Sequence, residues 1–238
     1  VARVRGAGAL ADLRDALGHA EFDPATTDRA FRIGAVDAAI AVVIPSLIAR
    51  VQRAAPGARL DVRSIDPGNA IALLDARDIE LALTPIPEVP RHVIGRDMFP
   101  LAFVLCMRPD HPIAAAPGAA EIAAYPHIVV SFAGIGRTPM DAAMQAAGVQ
   151  RRVSVTVGSF LAVPEILADS DALAVLPLPY ADKLARAGRV RIAQLPRALA
   201  RPSFAMRLAW PARLDPSRAW QWMRDQVAAA AKRAVSGG

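Results

Sequence analysis

Few residues in this chain have the types and spacing that chemistry requires. The four histidines, His19, His92, His111 and His127, lie in separate segments. None shows the His-Glu-x-x-His or His-x-His spacing that holds a metal, so no metal site is expected. Cys106 is the only cysteine. It cannot close an internal disulfide, and within the apolar run Leu101 to Met107 it reads as a small core residue. No G-x-S-x-G elbow presents a nucleophile. Gly134-Ile135-Gly136-Arg137-Thr138 comes nearest to a phosphate loop, but it lacks the third glycine and the acidic ribose partner of a dinucleotide site. The expectation is therefore no catalytic residue and no cofactor. Asp37 is the one candidate acid or base that can be named.

Binding is better provided for than catalysis. Arg137 carries a permanent charge with two-pronged geometry suited to a carboxylate, beside a helix start at Thr138-Pro139 whose amides point toward the same loop. The plainer alternative is a solvated loop arginine. Ser131 ends one strand, and Ser159-Phe160 opens the helix after another. Both positions suit a ligand, although capping alone would explain a serine at 159.

The elements that must position these residues alternate between strand and helix. Ile33 and Ala35 lie in a first strand, and Ile44, Leu47, Ile48 and Val51 form the apolar stripe of a helix that Pro56-Gly57 ends. Leu60, Val62 and Ser64 then alternate in a second strand, making a parallel βαβ unit. Asn69 is expected to cap a helix carrying Ile71, Leu73 and Leu74, and Leu81 to Leu83 to form a buried strand stopped by Thr84-Pro85. Met98 to Met107 is expected to be one extended run. In the second half, a helix at 119–124, a strand at His127 to Ser131, a helix from Thr138 to Gly148 and a strand through Val153, Val155 and Val157 follow. A helix from Ser159 through Leu167, kinked at Pro164, comes next. Strands at Leu173 to Leu176, at Val190 to Ile192 and at Phe204 to Trp210, a helix from Pro179 to Ala187 and a last helix with Trp220, Met223 and Val227 complete the order.

The 238 residues, 54% of them hydrophobic, suffice for one domain or two small lobes. No apolar stretch approaches the roughly 20 residues of a membrane span. Residues 1–18 lack the apolar core of a secretory signal, so a cytoplasmic location is expected. The net charge of +6 is spread over scattered arginines rather than a dense basic run, which gives little support to direct nucleic-acid binding.

The segment FDPATTDRAFRIG…D…IPSLIARVQRAAPGARLDV, together with LLDARDIELAL at 73–83, MRPDHP at 107–112 and VGSFLAVPEILADSDALAVLP at 157–177, resembles the effector-binding domain of LysR-type transcriptional regulators. The closest likeness is to the branch that senses aromatic acids. The resemblance covers about 22–230 and implies an α/β fold of two Rossmann-like lobes with a central cleft, similar to type 2 periplasmic binding proteins. It implies the end of a linker helix at 1–21, a first lobe of 22–107 and 205–235, and a second of 108–204. By position it carries over Asp37, Ala38, Val42, Thr84 and Pro85 as effector contacts, facing Ser131, Arg137, Ser159 and Phe160. Small apolar residues stand where family members often have a hydroxyl, so that wall should be more apolar. The implied partners are a small effector, expected to be a carboxylate, and a second copy of the chain in a homodimer or tetramer. DNA would be reached only through a helix-turn-helix unit absent from this chain. A solute-binding protein of a transporter shares the fold and is the alternative.

Overall fold

The computed structural model describes residues 22–131, 139–199 and 204–236. The expected linker helix at 1–21 lies outside them. The described residues fall into two compact α/β units. The first draws on 22–36, 43–99 and 206–234, the second on 37–42, 100–131, 139–199, 204–205 and 235–236.

The first unit is built on a five-stranded sheet in the order β2-β1-β3-β10-β4. Its strands are β1 (Ala30–Ala35), β2 (Arg59–Ser64), β3 (Leu81–Thr84), β4 (Val93–Leu101) and β10 (Phe204–Pro211). β1 runs parallel to both β2 and β3, with Ile33 opposite Val62 on one side and Leu81 on the other, while β10 is antiparallel to β3. The expected βαβ unit is thus present. Gly34 sits where a side chain has no room: a Cβ there would stand 2.6 Å from Ile79 Cδ1. Two helices flank the early strands. Of these, α2 (Ile44–Ala54) buries Ile44, Leu47 and Val51, and α3 (Ala70–Asp75) buries Ala70 and Leu74. The long C-terminal helix α8 (Arg218–Ser236) buries Trp220, Met223 and Val227, three and then four residues apart on one face as a 3.6-residue period requires. Trp220 meets the Phe31 ring edge-on at a centroid distance of 5.0 Å.

The second unit carries its own five-stranded sheet, in the order β7-β6-β8-β5-β9. It comprises β5 (Phe103–Met107), β6 (Pro126–Val130), β7 (Arg152–Val157), β8 (Leu173–Pro177) and β9 (Arg191–Ala193). β6 is parallel to β7 and β8, and β5 is antiparallel to β8 and β9. The helices are the short α1 (Asp37–Val42), α4 (Ala119–Ala124), α5 (Pro139–Ala146), α6 (Val163–Ala168) and α7 (Leu178–Arg186). Gly188, at φ +67°, closes α7 in the left-handed conformation that glycine adopts without strain.

Four local expectations are corrected. The run Met98 to Met107 is two strands rather than one. β4 ends at Leu101 and β5 begins at Phe103, each in a different sheet, so residues 103–107 pair within the second unit although the first lobe was expected to extend to 107. Residues 37–42, expected within the first lobe, also pack with the second unit. Pro164 does not kink a helix. A 3₁₀ turn at Phe160–Ala162 precedes α6, and Pro164 occupies its first turn, where a missing N–H costs nothing. Asn69 precedes α3 but does not cap it, because its backbone is itself helical (φ −105°, ψ −3°) and its side-chain oxygen accepts the Asp66 N–H instead.

Candidate functional site

Of the candidate residues in the second unit, Asp37, Ala38, Val42, Ser159 and Phe160 come together at α1. β1 ends in buried Ala35, Val36 donates its N–H to Leu83 O at 3.2 Å, and the chain turns directly into α1 at Asp37. Asp37 is 4% exposed. Its Oδ1 accepts the Ala38 N–H at 2.7 Å, while Oδ2 accepts both the Ser159 hydroxyl at 2.6 Å and the Phe160 N–H at 2.7 Å. Among the described residues no cation pairs with this carboxylate, so neutral donors supply the polar partners that burial demands.

Ser159 does two jobs at once. In extended conformation after β7, it accepts the Leu161 N–H at 3.1 Å, which caps the 3₁₀ turn. Its single hydroxyl proton then goes to Asp37. Capping therefore leaves the hydroxyl proton free to be given to Asp37. At the other end of α1, Lys183 on α7 donates to Ala41 O at 2.7 Å, adding a cation where the helix exposes carbonyls.

The side chains packed beneath α1 are apolar. Ala38 is buried in one cluster with Val104, Cys106, Ile128, Val163 and Tyr180, and Val42 and Phe160 pack partly buried against it. Burial and, after it, the Asp37 charge raise the Tyr180 phenol above its ordinary value. Ser131 follows β6 and donates its N–H to Val157 O at 2.9 Å, continuing the pairing of β6 with β7. Ser131 and Ser159 thus stand at the carboxyl ends of neighbouring parallel strands, where open α/β sheets bind ligands.

Thr84 and Pro85 belong to the first unit. Thr84 lies opposite Arg207 of β10 and is fully buried, and its hydroxyl has no hydrogen-bond partner among the described residues. Pro85 is half-buried. Arg137 and the expected Thr138 cap lie outside the described residues.

The remaining reactive types have structural settings. Cys106 is fully buried, and burial pushes its thiol up to about 12, so the nucleophilic thiolate is suppressed. His127 is also fully buried, with Nε2 2.9 Å from Ile122 O. A carbonyl only accepts, so Nε2 carries the proton. Burial lowers the ring to about 4. Among the described residues no group of three His, Cys, Asp or Glu side chains could hold a metal ion, and no helix is long and apolar enough to cross a membrane.

Sequence reasoning named Asp37, Ser159 and Phe160 but not the bonds that join them. The Asp37 and Ser159 pair spans 122 residues, and no local pattern signals it. Lys183 and Tyr180 were missed for the same reason.

Two mixed sheets, each flanked by helices and carrying its polar groups at parallel strand ends, define a regulatory domain with the two-lobed fold of type 2 periplasmic binding proteins. The model of the LysR substrate binding domain matches residues 25–232, and the chain belongs to that family. It is 28% identical over 219 residues to the HTH-type transcriptional activator NahR of Pseudomonas putida, covering 91% of this chain and 72% of NahR. It is 30% identical over 227 residues to nodulation protein D 3 of Rhizobium leguminosarum bv. phaseoli, covering 90% of this chain and 73% of that protein. Among solved structures, the regulatory domain of MexT, a transcriptional activator in Pseudomonas aeruginosa, superposes with a TM-score of 0.74 at 26% identity, covering 87% of this chain and all of that one. The chain is thus an effector-binding regulatory domain of a family of transcription regulators, not enzymes. Members bind small-molecule effectors and DNA and act as oligomers.

Proposed function

We propose that this chain senses a small carboxylate, with aromatic acids first among the candidates, and works as a homodimer that controls transcription in the cytoplasm through an attached DNA-binding domain. The observation that carries the reading is the meeting of α1 with Ser159 and Phe160 at the carboxyl end of a parallel strand, beside an apolar wall of Ala38 and Val42. That setting suits a compact ligand with one polar end. Ser131, Arg137, Ser159, Phe160, Asp37, Ala38 and Val42 are the proposed contacts, with Thr84 and Pro85 as further candidates from the first unit. Similarity to NahR, described as a transcriptional activator, supports the regulatory role.

The signal arises because the effector favours one arrangement of the domain over another. A ligand that bound both equally would shift nothing. The dimer is proposed to form through α2 and the segment Ser159 to Ala168, which present the exposed side chains Ile48 and Leu161. Light scattering at tens of micromolar (roughly, well above the dissociation constant of a stable dimer) should report twice the chain mass, and a monomer would refute this pairing.

Calorimetry with benzoate-like acids tests the effector reading. Arg137→Ala should weaken binding about 10- to 100-fold with unchanged melting, as expected for loss of a charge-assisted contact. Arg137→Lys should recover only part, since an ammonium lacks the planar fork. Wild-type affinity in Arg137→Ala would return this residue to a solvated loop.

A further inference from the structure

Among the described residues, the donors beside α1 that a ligand carboxylate would seek already have an occupant. The Ser159 hydroxyl has one proton, and it points to Asp37 Oδ2 at 2.6 Å. The Phe160 N–H reaches the same oxygen at 2.7 Å, and the Ala38 N–H is taken by Oδ1 at 2.7 Å. This carboxylate comes from α1, at a distance of 122 residues along the chain from Ser159, and is 4% exposed. The cation on the adjoining helix, Lys183, is turned to the Ala41 carbonyl. Among the described residues, what surrounds Asp37 is thus a set of neutral donors above an apolar cluster.

We propose that Asp37 is a specificity-determining residue, an internal carboxylate that occupies Ser159 and Phe160 and keeps a ligand's own carboxylate away from them. The part of the effector that approaches α1 is then neutral, and its anionic end is bound elsewhere. Two causes act together. The donors are already used, and a second carboxylate brought within hydrogen-bond reach of Ser159 would face a like charge across a poorly solvated gap, where repulsion is strong. Ala38 and Val42 on the same helix offer no side-chain donor that could compensate. This inference rests on the effector-binding reading and refines it, because it states which end of an aromatic acid meets this wall.

The test compares acids with their amides, using benzoate against benzamide and salicylate against salicylamide, by calorimetry on the whole chain. In Asp37→Asn the preference for acid over amide should rise about tenfold or more, the value of one charge-assisted hydrogen bond. Adding Ser159→Ala to that variant should abolish the rise, because the freed donor is gone. A merely structural Asp37 would move acid and amide affinities together and leave their ratio alone. If Asp37→Asn melts early, Asp37→Ser, which also removes the charge, takes its place with the same expectation. An acid-to-amide ratio unchanged within about twofold would overturn the proposal while leaving the effector reading intact. So would a rise that survives Ser159→Ala, since it would show a long-range charge effect rather than an occupied donor. Failure of every probe to bind any variant would overturn both.

Discussion

Each unit of this protein buries a carboxylate to the same degree, yet the two are held in opposite ways. Glu80 in the first unit and Asp37 in the second are both 4% exposed. Glu80 is paired with the Arg32 guanidinium of the neighbouring strand, through both Nε and Nη2. Among the described residues Asp37 takes only neutral donors, the Ser159 hydroxyl and two backbone amides. The first arrangement cancels a charge inside the scaffold. The second leaves a negative potential at the strand ends where a ligand is proposed to sit, so it bears on ligand choice as well as on folding.

The largest effect separating the two units is expected from His127, a further buried ionisable group of the second. Burial lowers its ring from an ordinary 6.5 to about 4, so the folded protein keeps it neutral. Its contribution is complete above 6.5 and is lost progressively as pH falls toward about 4, amounting to on the order of 3 kcal/mol. Urea midpoints followed from neutral pH downward should fall steeply in the wild type and less steeply in His127→Gln. Parallel slopes would remove His127 from the account.

Next in size is the first unit's ion pair. Glu80→Ala should cost about 2 kcal/mol, less than a fully buried pair, because Arg32 is partly exposed and water can take over its charge. The same variant should leave the acid-to-amide preference unchanged in calorimetry, whereas Asp37→Asn should cost about 1 kcal/mol and change that preference. Should Glu80→Ala also shift the preference, the contrast between the two carboxylates would collapse. The smallest effect concerns Thr84, whose buried hydroxyl lacks a partner among the described residues. Thr84→Val keeps the shape and removes the polar atom, so the melting temperature should rise, by the equivalent of about 1 kcal/mol. A fall would reveal a hydrogen bond to this hydroxyl.

Much of the fold was legible because it is written in short-range periodicity. The stripe Ile44, Leu47 and Val51 on α2, the alternation of β1 and β2, and the face Trp220, Met223 and Val227 on α8 each lie within a few turns of chain, and burial on one side is enough to impose them. The family likeness, too, resides in contiguous segments, and the match over 25–232 agrees with it. Cys106 was readable as core from its apolar neighbours alone.

What the sequence left undecided was how distant segments divide between the sheets. Nothing local distinguishes Met98–Leu101 from Phe103–Met107, because an apolar run suits any buried strand. Only pairing with β8 and β9 assigns the latter to the second unit. Asp37 could be named as polar and well placed, but whether it stood free, bound a ligand or satisfied its own chain depended on a serine 122 residues away. Residue types and periodicity determined which elements form and which side chains can act. Tertiary structure alone decided what each polar group meets, since a buried carboxylate must find donors and the fold chooses which donors are within reach.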